Sequence, residues 1–284
     1  MRRFIPILCS LLLLAACDKD WTPQSPVLLV EGWIENGAHP VVMVSESIPV
    51  VEDMEITPRT IIDKIAKWAK VTVSDGSQTV VLTGMADTDY FPPYIFTSSR
   101  IVGEVGKTYT LTVEYKDYKA TATTTIPRPV SPDTVYVREV KDSLCTVVCG
   151  FTDPEEKGNY YKIFTKTIGI DQHYHPSAVA ISSDENLNGY SEMFLYSTQR
   201  LLDTIDLPNI KEGDEMWIKL CTMDAQAFTF WSNFELTIMG NIVNTPFSRY
   251  QLDGMMQGAS GYWIGYGVGK EMKLLLKDPL AVEE

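Results

Sequence analysis

Between residues 27 and 126 the chain is built from short runs in which apolar and polar residues alternate, each run ending on turn-forming residues. Alternation sends successive side chains to opposite faces of a strand, so a stretch of this kind folds as strands with one face buried. Strand candidates fall at 27–34, 41–45, 70–74, 79–83, 107–115 and 119–126. In the fifth of these Tyr109, Leu111 and Val113 share a face and threonines take the other. Asp75-Gly76 between two runs is a turn signal. Short strands spaced about 8–12 residues apart predict an immunoglobulin-like β-sandwich. One helix interrupts the pattern. Thr57 caps it, Pro58 takes its first position, and Ile61, Ile62, Ile65 and Trp68 form an apolar stripe.

Pro127, Pro129 and Pro132 follow closely, and a proline cluster cannot continue a central strand. The boundary between a sandwich at 26–128 and a second domain at 129–284 is therefore expected here. The second part offers strand candidates at 133–140, 144–151, 160–168, 193–202 and 216–223. In 225–239 the period changes: Phe228, Trp231, Phe234, Leu236 and Ile238 spread round a helix, with Asp224 to cap it and Gly240 to end it. The segment Gly261-Tyr262-Trp263-Ile264-Gly265-Tyr266-Gly267 reads as a strand with bulges or close backbone packing. The expected fold class is mainly β, an N-terminal immunoglobulin-like sandwich followed by a β-rich domain with one aromatic helix. Apolar residues at 45% and aromatic residues at 11% are ample for packed cores.

The N-terminus carries a different kind of signal. Arg2 and Arg3 precede an apolar run at 4–14, and Leu14-Ala15-Ala16-Cys17 closes it. A basic start, a short apolar stretch and small residues before the cut are the parts of a secretory leader. The run is too short for a spanning helix, which needs roughly 20 apolar residues. A cysteine directly after the small residues resembles the bacterial lipobox. On this reading residues 1–16 are a signal peptide, Cys17 is acylated, and 17–25 is a tether. At about 0.8 kcal/mol per buried methylene, two or three acyl chains hold a protein stably on a bilayer.

The whole chain has a formal net charge of −13, and the leader takes two arginines with it. A field of that sign opposes nucleic acid, whose phosphates must be neutralised by Lys and Arg. It also opposes peripheral binding to anionic lipid. Beyond Cys17 the cysteines are Cys145, Cys149 and Cys221. Cys145 and Cys149 sit four apart in one strand candidate, roughly 13 Å at strand rise, beyond the approximately 7 Å Cα reach of a disulfide. Buried thiols are expected, a bridge from Cys221 to one of the pair being the alternative.

The chain resembles a known family through several short pieces in a fixed order. These are the lipobox, Leu29-Val30-Glu31-Gly32-Trp33-Ile34, Gly106-Lys107-Thr108-Tyr109-Thr110-Leu111, Ile126-Pro127, Gly158-Asn159-Tyr160-Tyr161-Lys162, the aromatic helix and the closing 261–267 segment. They resemble the Bacteroidota outer-membrane lipoproteins catalogued as domain of unknown function 4249. The sequence departs from that pattern at Gly254-Met255-Met256-Gln257-Gly258, where an Asn-Ile-Gly-Gly-like turn is expected. The resemblance implies a β-rich envelope lipoprotein, frequently encoded beside a TonB-dependent transporter. It brings no catalytic residues. It also makes Asp18-Lys19-Asp20 resemble an acidic signal for export to the cell surface.

For a cofactor, the best local pattern is Asp184-Glu185-Asn186-Leu187-Asn188-Gly189. Asp184, Asn186 and Asn188 match positions 1, 3 and 5 of a calcium loop and Gly189 the sharp turn at position 6; Leu195 stands where a bidentate carboxylate belongs, and Glu192 is the nearby substitute. The competing reading is a polar hairpin turning at Asn188-Gly189. His173 and His175 flank Tyr174, and on a strand both would share a face with Asp171, a donor set zinc accepts. Pro176 makes the segment read as an exposed loop, where such a pair is solvated. Tyr262, Trp263 and Tyr266, or Phe91 and Tyr94 around Pro92-Pro93, are candidate sugar- or peptide-binding platforms, although aromatics at strand spacing are more often core. Gly258-Ala259-Ser260-Gly261 misses the nucleophile elbow by one residue. Glu155-Glu156 are adjacent, whereas glycosidase carboxylates face each other across about 5–10 Å.

The expected function is thus a non-catalytic lipoprotein of the outer membrane, facing outward and held by lipid on Cys17. It would dock on a TonB-dependent β-barrel transporter or capture its ligand. A surface scaffold or adhesin module is the alternative, and a surface hydrolase a more distant one.

Overall fold

The computed structural model describes residues 27–48, 57–141, 144–187, 189–196, 212–243 and 255–277. Cys17 and the tether fall outside the described residues. The first half supplies β1 (Leu28–Glu35), β2 (Val41–Glu46), a short α1 (Pro58–Ile62), β3 (Lys70–Ser74), β4 (Thr79–Val81), β5 (Thr83–Ala86), β6 (Tyr94–Thr97), β7 (Thr108–Tyr115) and β8 (Tyr118–Thr125). The second supplies β9 (Pro132–Lys141), β10 (Leu144–Asp153), β11 (Tyr160–Thr167), β12 (His175–Ser183), β13 (Gly189–Tyr196), β14 (Glu215–Met223), α2 (Ala225–Val243), β15 (Ser260–Val268) and β16 (Met272–Leu275). The protein is mainly β, as its alternation predicts.

The strands form three sheets among the described residues. The longest runs β12-β11-β14-β15-β1-β2-β6-β5, with β16 added on β14. A four-stranded sheet runs β4-β3-β7-β8 and a three-stranded one β13-β10-β9. Leu28, Val30 and Ile34 of β1 bury one face of the long sheet against Val71, Val73, Tyr109, Leu111 and Val113 of the four-stranded sheet. This is the sandwich expected for 26–128, with one addition from far along the chain. β15 pairs in parallel with β1, Leu29 opposite Ser260 through Glu35 opposite Tyr266. Trp263 is fully buried in that core and its indole N–H donates to the Tyr109 carbonyl at 2.9 Å. The boundary drawn at 128/129 is therefore crossed by the sheet. Parallel pairing needs a long crossover, so the partner of a strand can lie anywhere in the sequence.

A second core forms where Cys145, Val147, Cys149 and Phe151 of β10 meet Tyr161, Ile163, Met216, Ile218 and Leu220 of β11 and β14. Cys145, Cys149 and Cys221 are buried thiols outside any disulfide. Burial, with Asp133 nearby, pushes the Cys149 thiol up to about 12, so it stays protonated and unreactive.

Residues 262 and 266 alternate with the core-facing residues of β15 and stand on the opposite face of the long sheet. α2 covers that face. Its Phe230 ring lies 4.9 Å from Tyr262, and Trp231 donates from Nε1 to the Tyr266 hydroxyl at 2.8 Å. Asp224 caps α2 by accepting from the Ala227 N–H at 2.8 Å. The helix runs on through Gly240 to Val243 rather than ending at the glycine.

Two local expectations change. The apolar stripe through Trp68 does not form a helix: α1 ends at Ile62, and Trp68 is 91% exposed. The next residues bond to the β2 edge instead, Glu46 N–H to the Lys64 carbonyl at 2.9 Å and Ala66 N–H to the Val44 carbonyl at 2.9 Å. Pairing with an open strand edge satisfies those amides better than one more helical turn. The capping itself holds, with Thr57 and Thr60 in a reciprocal capping box. The turn before Gly189 also differs. β13 pairs with β10, not β12, so residues 184–189 carry the chain between two sheets rather than closing a hairpin.

Candidate functional site

Trp33 and Glu35 alternate with the core residues of β1 and stand on the face of the long sheet away from the four-stranded sheet. From β14, Lys219 reaches the same place and its ammonium lies 2.6 Å from Glu35 Oε1. The same ammonium sits 4.3 Å from the ring centre of Tyr174 and 5.6 Å from that of Phe164, so cation–π contacts complete its surroundings. Burial, then a hydrogen bond to Glu271, pushes the Tyr174 phenol well up.

Two loops from opposite halves of the chain close over this cluster. One follows β5 and carries Asp87, Asp89 and Tyr90; the other precedes β12 and carries His173 and Tyr174. The Tyr90 ring stacks on the His173 imidazole, 3.8 Å between centroids and 17° between planes, and lies 6.1 Å from Trp33. Burial, then the charges of Asp87, Glu35 and Asp89, push the Tyr90 phenol up to about 12. A ring nitrogen of His173 and one carboxylate oxygen each from Asp87 and Asp89 lie within 4.8 Å of one another. The loop holds its own shape: the Asp89 N–H donates to Asp87 Oδ1 at 3.0 Å, and the Asp87 N–H to the Pro93 carbonyl at 3.4 Å. Beneath α2 a second ion pair is sealed, Lys162 Nζ to Glu235 Oε1 at 2.6 Å.

At the calcium candidate, the described oxygens have protein partners. Asp184 is buried, and its Oδ2 accepts from the Asn159 N–H at 2.8 Å and from Asn159 Nδ2 at 3.1 Å. The Lys157 ammonium donates to the carbonyls of Asp184, at 2.7 Å, and of Leu187. An ammonium thus occupies two backbone oxygens of this loop. Glu192 lies apart on β13, exposed, accepting from Tyr136 at 3.4 Å and Tyr190 at 3.3 Å. The side chain of Asn186 and all of Asn188 lie outside the described residues, as does the lipidation candidate Cys17.

His173 and His175 part company. His175 Nε2 lies 3.6 Å from Asp171 Oδ1 at the start of β12, while His173 turns toward the Asp87 loop. Trp263 and Tyr266 are core, as strand spacing favours. Phe91 and Tyr94 are half-buried, and Tyr94 packs edge-on to Phe96. The Asp87, Asp89 and His173 grouping has no sequence pattern of its own. The loops that carry it are far apart in the chain and meet only because β15 joins the two halves.

A family model described as Domain of unknown function (DUF4249) matches residues 17–271. No curated protein matches the chain.

Proposed function

The chain belongs to the DUF4249 family, and from that premise we propose that it is a lipid-anchored outer-membrane protein, facing outward and non-catalytic, accessory to a TonB-dependent transporter. It docks on the β-barrel or captures ligand for it. The observation that carries this reading is where the family match starts: residue 17. That cysteine is the residue which leader removal would deliver as the acylated N-terminus. The matched region and the anchor then begin at the same residue, as they would in a protein whose work depends on being held at a surface.

Two further observations support it. Among the described residues no helix is long and apolar enough to cross a membrane, so a lipid on Cys17 would be the attachment this reading needs. Two cations on the sheet face each hold a carboxylate, Lys219 with Glu35 and Lys162 with Glu235, while Glu31 is bonded to Tyr262. Such pairs organise a surface rather than move protons in a reaction.

The test is a pull-down in gentle detergent through a tag after Glu284. Co-recovery of an outer-membrane β-barrel is the expected result. Recovery of the lipoprotein alone would sink the docking reading and favour a scaffold or adhesin. The anchor is tested separately: Cys17→Ser abolishes labelling by a palmitate analogue and moves the protein out of the membrane fraction. Labelling that persists in the variant would place the lipid elsewhere.

A further inference from the structure

The loop after β5 and the loop before β12 bring three metal-binding side chains together across the two halves of the molecule. Among the described residues, Asp87, Asp89 and His173 form one group of donor atoms all within 4.8 Å. His173 Nε2 is buried and meets no hydrogen-bond partner. A buried polar atom left in that state costs about 1–3 kcal/mol, and native structures rarely carry such an atom without a reason. Tyr90, stacked flat on the imidazole, fixes the plane of the ring. Asp89 is exposed and Asp87 half-buried, so the group opens to water on the carboxylate side.

The protonation state suits ligation. Burial holds the His173 imidazole below its ordinary value of 6.5, with Lys166 acting in the same direction against Asp87 and Asp89. The neutral ring keeps the lone pair that binds a metal. One imidazole nitrogen with two carboxylate oxygens is the mixed donor set of zinc and its first-row neighbours. All-oxygen cages suit calcium and magnesium, and thiolate sites suit softer ions. Donors bound at about 2.0–2.2 Å lie roughly 3–4 Å from one another, so about an ångström of closure by the loop after β5 seats the ion.

We propose that Asp87, Asp89 and His173 bind a divalent transition-metal cation of the zinc or manganese class, which clamps the loop after β5 to the loop before β12. Tyr90, stacked on His173, lies 6.1 Å from Trp33, so the site bridges the two halves over the sheet face that carries β1. Water or an oxygen-bearing ligand fills the remaining coordination positions. This inference stands apart from the transporter reading, and a negative pull-down leaves it intact.

The experiment uses the full chain purified in detergent, stripped with chelator and titrated separately with Zn²⁺ and Mn²⁺ by calorimetry. One ion per chain is expected, with a rise in melting temperature that chelator reverses, since an ion bound only by the folded state must stabilise it. Loss of an outer-shell partner alone weakens metal sites by about 10–100-fold. His173→Gln and Asp87→Asn/Asp89→Asn remove direct ligands and should weaken binding by at least that much, whereas His175→Gln should leave it unchanged. Melting of each stripped variant checks that it folds, and the carboxylate variant carries the test if His173→Gln does not. Absence of one-to-one binding to either ion overturns the proposal. So does undiminished affinity in the folded ligand variants, or an equal loss in His175→Gln, which would put the ion on the Asp171 side.

Discussion

Lys219 Nζ lies 2.6 Å from Glu35 Oε1, a pair 184 residues apart in the chain and separated in the sheet by β15. β14 and β15 share only two paired positions, Cys221 with Val268 and Thr222 with Gly267. The ion pair therefore reinforces the sheet where the ladder between its two halves is short. Lys219 is almost wholly buried, while Glu35 keeps 21% of its side chain exposed. Breaking a buried pair costs about 3–5 kcal/mol. With one partner partly hydrated, Glu35→Ala is expected to cost about 2–3 kcal/mol in urea unfolding, because the ammonium is stranded against Phe164 and Tyr174. Lys70→Ala, which breaks the exposed pair with Glu114, should cost far less, because water and salt screen that pair. Equal shifts for the two variants would show that the Lys219 contact is no structural joint.

Gly261 sits at φ +124°, and a Cβ there would stand 1.9 Å from the Val30 carbonyl oxygen. That carbonyl belongs to the strand with which β15 pairs, so neither backbone can retreat without opening the ladder. Gly261→Ala is expected to cost more than about 3 kcal/mol or to abolish cooperative unfolding. Gly37 is the control. Its φ is +79° but a Cβ would meet nothing within 4 Å, so Gly37→Ala should lose only about 1–2 kcal/mol from the backbone alone. Similar losses at the two positions would contradict the parallel β1–β15 register.

What the sequence made legible was local. The alternation of Tyr109, Leu111 and Val113 foretold both strand and buried face, and the glycines of 261–267 announced the close backbone approach that Gly261 makes. Trp68 misled because its spacing fitted a helix, whereas the amides near it found the edge of β2. β12 was hidden by Pro176 and by the polar look of the residues before it: 171–174 are loop, but His175 and Pro176 become strand once β11 offers a partner. The β1–β15 pairing and the meeting of Asp87, Asp89 and His173 depend on long-range contacts. No window of the sequence contains either one.

Asp75 gives a dependence on pH with a definite sign. Its Oδ1 accepts from the Gln78 N–H at 2.9 Å, the Ser77 N–H at 2.9 Å and the Ser77 hydroxyl at 2.8 Å. Those bonds, the one from Gln78 first, hold the carboxyl at about 2 against an ordinary 3.8. The folded state thus binds its proton less readily than the unfolded state. The stabilisation is full above 3.8 and is lost as pH falls toward 2. The difference in stability between the wild-type protein and Asp75→Ala should be constant at neutral pH and shrink through that window. A carboxyl resonance of Asp75 that titrates at 3.8 would refute the turn geometry.

Lys162 and Glu235 pose the question of what a sealed ion pair contributes. Lys162 is 0% exposed and Glu235 6%. The ammonium donates to Glu235 Oε1 at 2.6 Å and to the Ser177 carbonyl at 3.1 Å, and lies 4.9 Å from the Trp231 ring centre. Taking both charges out of water costs about as much as their attraction returns, so the pair can be worth little in total while either half alone is expensive. Glu235→Leu and Lys162→Met are each expected to cost about 3–5 kcal/mol, and Lys162→Met/Glu235→Leu to return within about 1 kcal/mol of the wild type or to exceed it. The urea double-mutant cycle reads that coupling directly. The sign in alkali follows from burial, which holds Lys162 below its ordinary 10.5 with Glu235 opposing. Without the carboxylate the ammonium is held lower still. The unfolded chain then binds the extra proton over a wider range below 10.5, and the stability of Glu235→Leu should climb with pH through that range more steeply than that of the wild type. Additive single-site costs with parallel pH profiles would mean that the two charges do not meet beneath α2.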